Sequence, residues 1–467
     1  MSKRFAGNCR LKKQYVLSKI INFLACILFL QKPIKIRKNV CELKRHPVRR
    51  KGMRHFMVNT LCRGVYEKEP FCKQDTVFLH QKDFVIFDDY FPSLKSGWRY
   101  AEIDAYLKNI PKSACLATGM TVKAMEHIPE FDFKGMFSKE ISTYDKTGNS
   151  VFLYEGSVKS DKPFLVYCIF VNNIFTFELL SKIKMPFVFT LYPGGGMALN
   201  NPECDRKLSA AFQSKYFRHV IVTQRVTYDY LIEKKLCPTE KITFIFGVPS
   251  LEKMQQEVDA SSLKKYGRDK DILDICFTAN RYSKYGEDKG YDVFVKMAEK
   301  LYRRHKNIRF HVVGNGFDEN TLDVSELKPA IHFYGLQSPN FFSIFYRDKD
   351  IICSPNKTFV LNFKGGYDGF PLGTSCDAML QHVACFMSDE LKCNQERYID
   401  KVDAEILSPD ADVYAERIEY YVNHPSLLIE LAENGAKKAR KFYSYEAQIA
   451  PRIDLMNRLI ENEKASS

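Results

Sequence analysis

Hydrophobic and polar positions alternate in blocks along most of the chain. Phe84-Val85-Ile86-Phe87 reads as a buried first strand, and it runs into a polar loop, Asp88 to Gly97, and a helix from Arg99 to Lys108. Further apolar strand candidates follow at Phe164–Phe170, Phe187–Leu191, Val220–Thr223 and Ile242–Phe246, separated by helical patterns. A second series comprises Ile272–Thr278, Ile308–Val313, Ile331–Tyr334, Ile351–Ser354, Val383–Met387 and Glu405–Leu407. Between these strands lie amphipathic stretches such as Tyr291–Arg304. There Val293, Phe294, Met297, Ala298 and Leu301 fall at helical spacing, a stripe that belongs to a core. Strands alternating with helices predict parallel α/β sheets, in which ligands bind beyond the carboxyl ends of the strands. The pattern divides into a first domain over residues 82–250, a linker over 251–270, a second domain over 271–443 and a helix-like tail over 444–467. Pro451 is expected to bend that tail.

The chain has 467 residues, enough for two or three domains, and carries a net charge of +14. The charge is uneven. Between Met1 and Arg54 lysines and arginines crowd around a single acid, Glu42, so residues 1–81 form a basic extension on a near-neutral body. The apolar run Ile20–Leu30 within it is too short to span a bilayer. It fits an interfacial helix held on anionic lipid by its lysine flanks, or a helix packed on the body. Nucleic acid is not the expected partner, since the extension lacks zinc-ligand spacing and the aromatic motif of RNA-recognition folds. The 14 cysteines include no Cys-x-x-Cys pair and read as reduced thiols of a cytoplasmic protein.

The densest chemistry lies in Tyr367-Asp368-Gly369-Phe370-Pro371-Leu372-Gly373-Thr374-Ser375-Cys376-Asp377-Ala378-Met379. Glycines and a proline punctuate a loop that turns into a helix, with Thr374 as the expected N-cap and Asp377 three residues on, as in a capping box. Backbone N–H groups converging at a helix N-terminus favour an anion, and carboxylates on either side suit hydroxyl groups. Together they suit a nucleotide sugar; a plain capped turn is the competing reading. Arg281 after one strand and Lys289 before a helix can bracket a diphosphate. In the first domain, Gly97 and Arg99 occupy one strand-end loop, and Tyr192-Pro193-Gly194-Gly195-Gly196 another. The glycines allow close approach to a ligand or simply make a turn. Neither loop is a Walker or dinucleotide fingerprint. No His or Cys cluster has metal-ligand spacing.

Asp-Gly-Phe-Pro followed by Asp-Ala-Met resembles the signature of the retaining glycosyltransferases of family 4, the group 1 glycosyl transferases. Their pattern is Glu-Gly-Phe-Pro, a short run, then Glu-Ala-Met, with seven residues between the glutamates. Here both acids are aspartates and eight residues separate them, so either Cys376 or Asp377 stands at the second position; Ala378-Met379 favours Asp377. The order Arg281, Lys289-Gly290, His311-Val312-Val313-Gly314-Asn315-Gly316, Tyr334-Gly335, Ser354-Pro355 and the Asp368 stretch is similar to the family across the second domain. In the first domain the likeness is weaker, and Tyr192 stands where the family often has a His.

The resemblance implies two Rossmann-like α/β domains facing across a cleft, the GT-B arrangement, with residues 444–467 returning to the first domain. It implies transfer of a sugar, with retention, from a nucleotide-sugar donor to a hydroxyl of a glycan or lipid-linked acceptor. It also implies that no metal or other cofactor is needed, which agrees with the lack of metal-ligand spacing. Bacterial surface polysaccharide or glycolipid synthesis is the expected setting, in the cytoplasm or on the inner face of the membrane. Arg281, Lys289 and Asp368 would be catalytic. Gly314, Tyr334, Gly369, Phe370, Pro371, Leu372, Gly373, Thr374 and Asp377 would bind the donor. Gly97, Arg99, Tyr192, Gly194 and Gly195 would lie on the acceptor side. A nonhydrolysing nucleotide-sugar epimerase and a non-catalytic scaffold on the same fold stand as alternatives.

Overall fold

The computed structural model describes residues 76–126, 133–135, 137–138, 150–361, 363–395 and 397–466. The basic extension up to residue 75, including Ile20–Leu30, lies outside the described residues. The strands of the first half are β1 (Val77–Leu79), β2 (Phe84–Asp88), β3 (Ser113–Ala117), β4 (Ser150–Leu153), β5 (Val158–Ser160), β6 (Leu165–Ile169), β7 (Phe187–Leu191), β8 (Phe217–Val222) and β9 (Ile242–Phe244). Seven of them form one parallel sheet in the order β4-β3-β2-β6-β7-β8-β9. β1 pairs with β5 in a separate two-stranded sheet. The expected extension therefore ends earlier than residue 81, because Val77–Leu79 is already committed to the body.

The second half contributes β10 (Leu273–Thr278), β11 (Ile308–Val313), β12 (Ile331–Phe333), β13 (Ile351–Ser354), β14 (Ala384–Met387) and β15 (Glu405–Ile406). They form a parallel sheet in the order β12-β11-β10-β13-β14-β15. Counted from its own first strand, the second sheet runs 3-2-1-4-5-6, and the first, counted from β2 with β5 left out, runs 3-2-1-4-5-6-7; both are doubly wound, Rossmann-like orders. Strands such as β2 and β10 are buried along their whole length because helices cover both faces. Their alternate residues feed different cores. Val85 and Phe87 join Phe189 and Val220, whereas Phe84 and Ile86 join Tyr106 and Tyr167.

That second core also receives Ile453, Met456 and Ile460 of the last helix, Ala450–Ser466. The tail is two helices, Tyr445–Gln448 and Ala450–Ser466, which part at Ile449, two residues before Pro451. Proline stands at the second residue of the Ala450–Ser466 helix, where its missing N–H would have had no intrahelical acceptor in any case. The Lys464 ammonium lies 3.2 Å from Asp83, and Glu463 pairs with Arg218, so charged groups clamp the same helix to the first sheet. No described helix is long and apolar enough to cross a membrane. All nine described cysteines are buried free thiols.

Candidate active site

The strand order of the second sheet reverses between β10 and β13, and the loops leaving those two strands meet. Lys289 comes from the turn after β10 and Asp368 from the loop after β13. The Lys289 Nζ lies 2.5 Å from Asp368 Oδ2, and Asn356 Nδ2 donates to the same oxygen at 2.8 Å. The lysine side chain is 8% exposed and the aspartate 25%. Gly290 makes this possible. It adopts φ +68°, and a Cβ there would stand 1.8 Å from the Pro355 carbonyl oxygen. Only glycine lets the Tyr291–Arg304 helix start against the β13 loop with Lys289 turned inward. Burial lowers the Lys289 pKa, but the Asp368 carboxylate outweighs it, and the net shift is upward. The ammonium is held charged beneath the loop.

Arg281 stands apart from this pair and is exposed. Its N–H donates to Asn315 O, its guanidinium to Lys284 O at 3.3 Å, and its Nε lies over Gly316. Gly314 adopts φ +139° because a Cβ would meet the Ala279 carbonyl at 1.6 Å. Tyr334 is committed differently. Its hydroxyl meets His311 Nδ1 at 2.9 Å, His311 Nε2 meets Asp274 at 2.8 Å, and its ring packs on Phe341 and Phe345.

The capping expectation is overturned. The helix runs Gly373–Leu380 and begins before Thr374, with Leu372 at the N-cap and no side-chain cap bond. Thr374 sits inside the first turn, where its Oγ1 donates to Thr278 O at 3.2 Å. Asp377 does not reach back to the cap. Its Oδ1 accepts from Ser250 Oγ, at the end of the first domain, at 2.6 Å. Burial pushes the half-buried Asp377 up to about 6, with the Ser250 hydroxyl pulling the other way. Cys376 is fully buried in the core with Met379 and Tyr443. Of the two residues the sequence left open, Asp377 is the one facing the interdomain seam.

The first domain grips this loop. Gln224 Oε1 accepts from Phe370 N–H at 3.1 Å, Tyr367 OH meets Thr227 Oγ1 at 2.5 Å, and Pro193 approaches Gly369. Gly373 faces Trp98 and Val248. Trp98 packs in turn on Tyr192 at 4.4 Å between ring centroids and on Phe170 at 6.0 Å.

The expected acceptor-side residues fare unevenly. Arg99 is not free for a ligand. It is buried, its Nε donates to Asp88 at 2.8 Å, and its Nη2 pairs with both Asp88 and Asp89 at the end of β2. Gly97 packs its helix start against Leu251. The Tyr192 hydroxyl is likewise spent. It donates to Glu102 at 2.6 Å and lies 3.2 Å from Arg452 Nη2. Gly195 at φ +54° packs so closely on Phe170 that a Cβ would overlap its ring, whereas Gly194 faces open space. The glycine run is thus a turn, closed by Met197 N–H to Gly194 O.

Beneath Tyr192, Glu102 and Arg452 are both fully buried. Tyr106, Tyr167, Thr190 and Tyr192 all donate to Glu102, and Arg452 Nε lies 3.4 Å from it. Arg452 also donates to Gln448, whose Nε2 donates to Phe246 O just beyond β9.

A small open cavity of about 20 Å³ lies against Asp368, Gly369 and Phe370, with Asn356, Lys357 and Glu390 in its walls. Sequence reasoning missed Asn356, Gln224, Ser250 and Trp98. Only Gln224 carried a signal, as the second residue beyond β8. Among the described residues, no group of three or more His, Cys, Asp or Glu could hold a metal ion.

Residues 264–442 match the family model described as Glycosyl transferases group 1. No curated protein matches the chain. Among solved structures, sucrose-phosphate synthase from Thermosynechococcus elongatus superposes with a TM-score of 0.55 at 13% identity, over 83% of this chain and all of that one. A glycosyltransferase from Rickettsia africae gives 0.54 at 12% identity, over 82% of this chain and all of that one. Anabaena HepE in complex with UDP and glucose gives 0.53 at 12%, with the same coverage. These likenesses show the fold: two Rossmann-like domains in the GT-B arrangement.

Proposed function

We propose that this chain, whose residues 264–442 form a domain of the group 1 glycosyl transferases, moves a sugar from a nucleoside-diphosphate donor to an acceptor hydroxyl with retention. The observation that carries the reading is the Lys289–Asp368 pair, set at the strand-order reversal beside the N-terminus of the Gly373–Leu380 helix. In the reaction the bond from the anomeric carbon to the diphosphate oxygen breaks and a bond to the acceptor oxygen forms. The acceptor proton leaves with the nucleoside diphosphate. Negative charge grows on the leaving diphosphate. Lys289, Arg281 and the first-turn N–H groups of the helix are fixed positive ends that meet it.

Lys289 and Asp368 hold one another until the donor arrives. The diphosphate then takes over the ammonium, and the released carboxylate accepts hydroxyls of the sugar. The exchange keeps a buried lysine charged and paired throughout. Asp377 accepts ribose hydroxyls from the seam. HepE was crystallised with UDP and glucose, which makes UDP-sugars the first donors to try. The acceptor is a glycan or a lipid-linked glycan. The setting is the cytoplasm, with the basic extension resting on an anionic membrane face. Fixed cations replace a metal ion, so transfer is expected to persist in EDTA. Loss on chelation with recovery on adding Mg²⁺ or Mn²⁺ would show that the phosphate site is misread. The decisive experiment incubates the chain with UDP-, GDP-, ADP- and CDP-sugars and follows release of the nucleoside diphosphate with and without glycan acceptors. No release from any donor overturns the proposal.

A further inference from the structure

Between β13 and Asp368 the chain makes an excursion that the catalytic reading does not use. Lys357 leaves the sheet with its Nζ 2.6 Å from Asp292, and Thr358 donates through N–H and hydroxyl to Glu390 at 2.7 and 3.0 Å. Phe359 N–H donates to Gly366 O, closing the excursion into a loop. The far end is bolted to the first domain. Asn201 Nδ2 donates to Lys364 O at 2.8 Å and Leu199 N–H to Gly365 O at 2.9 Å. A Cβ on Gly365 would stand 1.9 Å from Leu199 O, so glycine is needed at this crossing. Both ends of the strap are fixed while its tip is not covered. Phe359 is 50% exposed, Val360 41% and Phe363 39%, with exposed Lys364 beside them.

Three large apolar side chains within five residues, on an anchored loop, call for a partner. The tip is a protrusion, not a groove. Phenylalanines bury about 150–250 Å² each. Three partly exposed side chains therefore fall short of the roughly 800 Å² per partner of a stable protein interface. A bilayer boundary has no such threshold, since it takes apolar side chains below the headgroups and a lysine among them. The cationic extension at the start of the chain calls for the same anionic surface. We infer that the tip carrying Phe359, Val360 and Phe363 inserts these side chains into the headgroup boundary of an anionic membrane. The strap also walls the cavity beside Asp368, so insertion brings that cavity to the membrane surface. The inference stands independently of the identity of the donor.

The test uses the full chain and vesicles of phosphatidylcholine with phosphatidylglycerol, some made with brominated acyl chains. Phe359→Trp is expected to show emission quenched by the brominated chains well beyond the quenching of the wild-type protein. Phe359→Ser, Val360→Ser and Phe363→Ser combined are expected to weaken vesicle binding at least fivefold. Thermal midpoint and UDP binding should stay at wild-type values, since the tip touches neither core nor donor loop. Absence of extra quenching while the protein sediments with vesicles would assign membrane contact to the extension alone and overturn the inference. So would unchanged vesicle affinity of the triple variant, or its conversion of a dimer to a monomer with vesicle binding intact. Failure of the donor reading would appear separately, as absent nucleotide binding in the wild-type chain.

Discussion

Two of the ion pairs among the described residues, Glu102–Arg452 and Lys289–Asp368, look alike in outline and differ in what surrounds them. In the first domain Glu102 receives four hydroxyls and Arg452, and both charges are sealed from solvent. In the second domain Asp368 receives one ammonium and one amide, beside an open cavity. A carboxylate that already accepts from four hydroxyls and is sealed from solvent has nothing left to give a ligand. An undersaturated pair at a cavity edge can trade its partner for another. Saturation, more than charge or burial, separates structural ionic groups from chemical ones in this chain.

Removing Arg452 breaks the comparison hardest. Arg452→Met leaves Glu102 buried without its cation and is expected to cost about 3–5 kcal/mol of stability. Urea denaturation should show a lower midpoint, while the folded fraction binds nucleotide normally. Lys289→Ala is expected to do the reverse. Stability changes little, because Asp368 can take up water, but steady-state assays should show kcat lowered by about 2–4 kcal/mol of transition-state stabilisation. Asp368→Asn sharpens the contrast further. Calorimetry should show unchanged affinity for free nucleoside diphosphate and affinity for the nucleotide sugar weakened by about 1.5 kcal/mol.

The smallest effect is a pH dependence at Asp377. Its carboxyl is pushed from 3.8 up to about 6 in the folded chain, so between these values the folded state holds a proton that the unfolded state has lost. Stability from this group therefore falls as pH rises from about 4 to 6. Nucleotide affinity, which needs the charged acceptor, should rise severalfold between pH 5 and 7. Asp377→Asn is expected to flatten that profile, as read by titration with the nucleoside diphosphate.

Strand runs rich in Val, Ile and Phe were legible because both faces of a parallel sheet are buried. β7, β11 and β13 match their expected bounds residue for residue. β3 was not legible. Ser-Ala-Cys-Leu-Ala has no β-branched residue, and its place in the sheet comes from β2 and β4 on either side. The turn glycines and the loop before Asp377 could be read locally. The partners could not, since Lys289 and Asp368 lie 79 residues apart and Tyr192 and Arg452 lie 260 apart. Arg99 shows the opposite fault. Asp88 and Asp89 stand in the same short stretch, yet nothing in spacing alone says that they consume its charge.

Trp98 packs on Tyr192 and Phe170 of the first domain and faces Gly373 at the helix start of the second. It is the sole tryptophan of the chain. Its indole emission therefore carries no background from elsewhere, and any spectral displacement on adding a ligand reports on that seam alone. The protein comes with its own optical gauge of how its two halves meet.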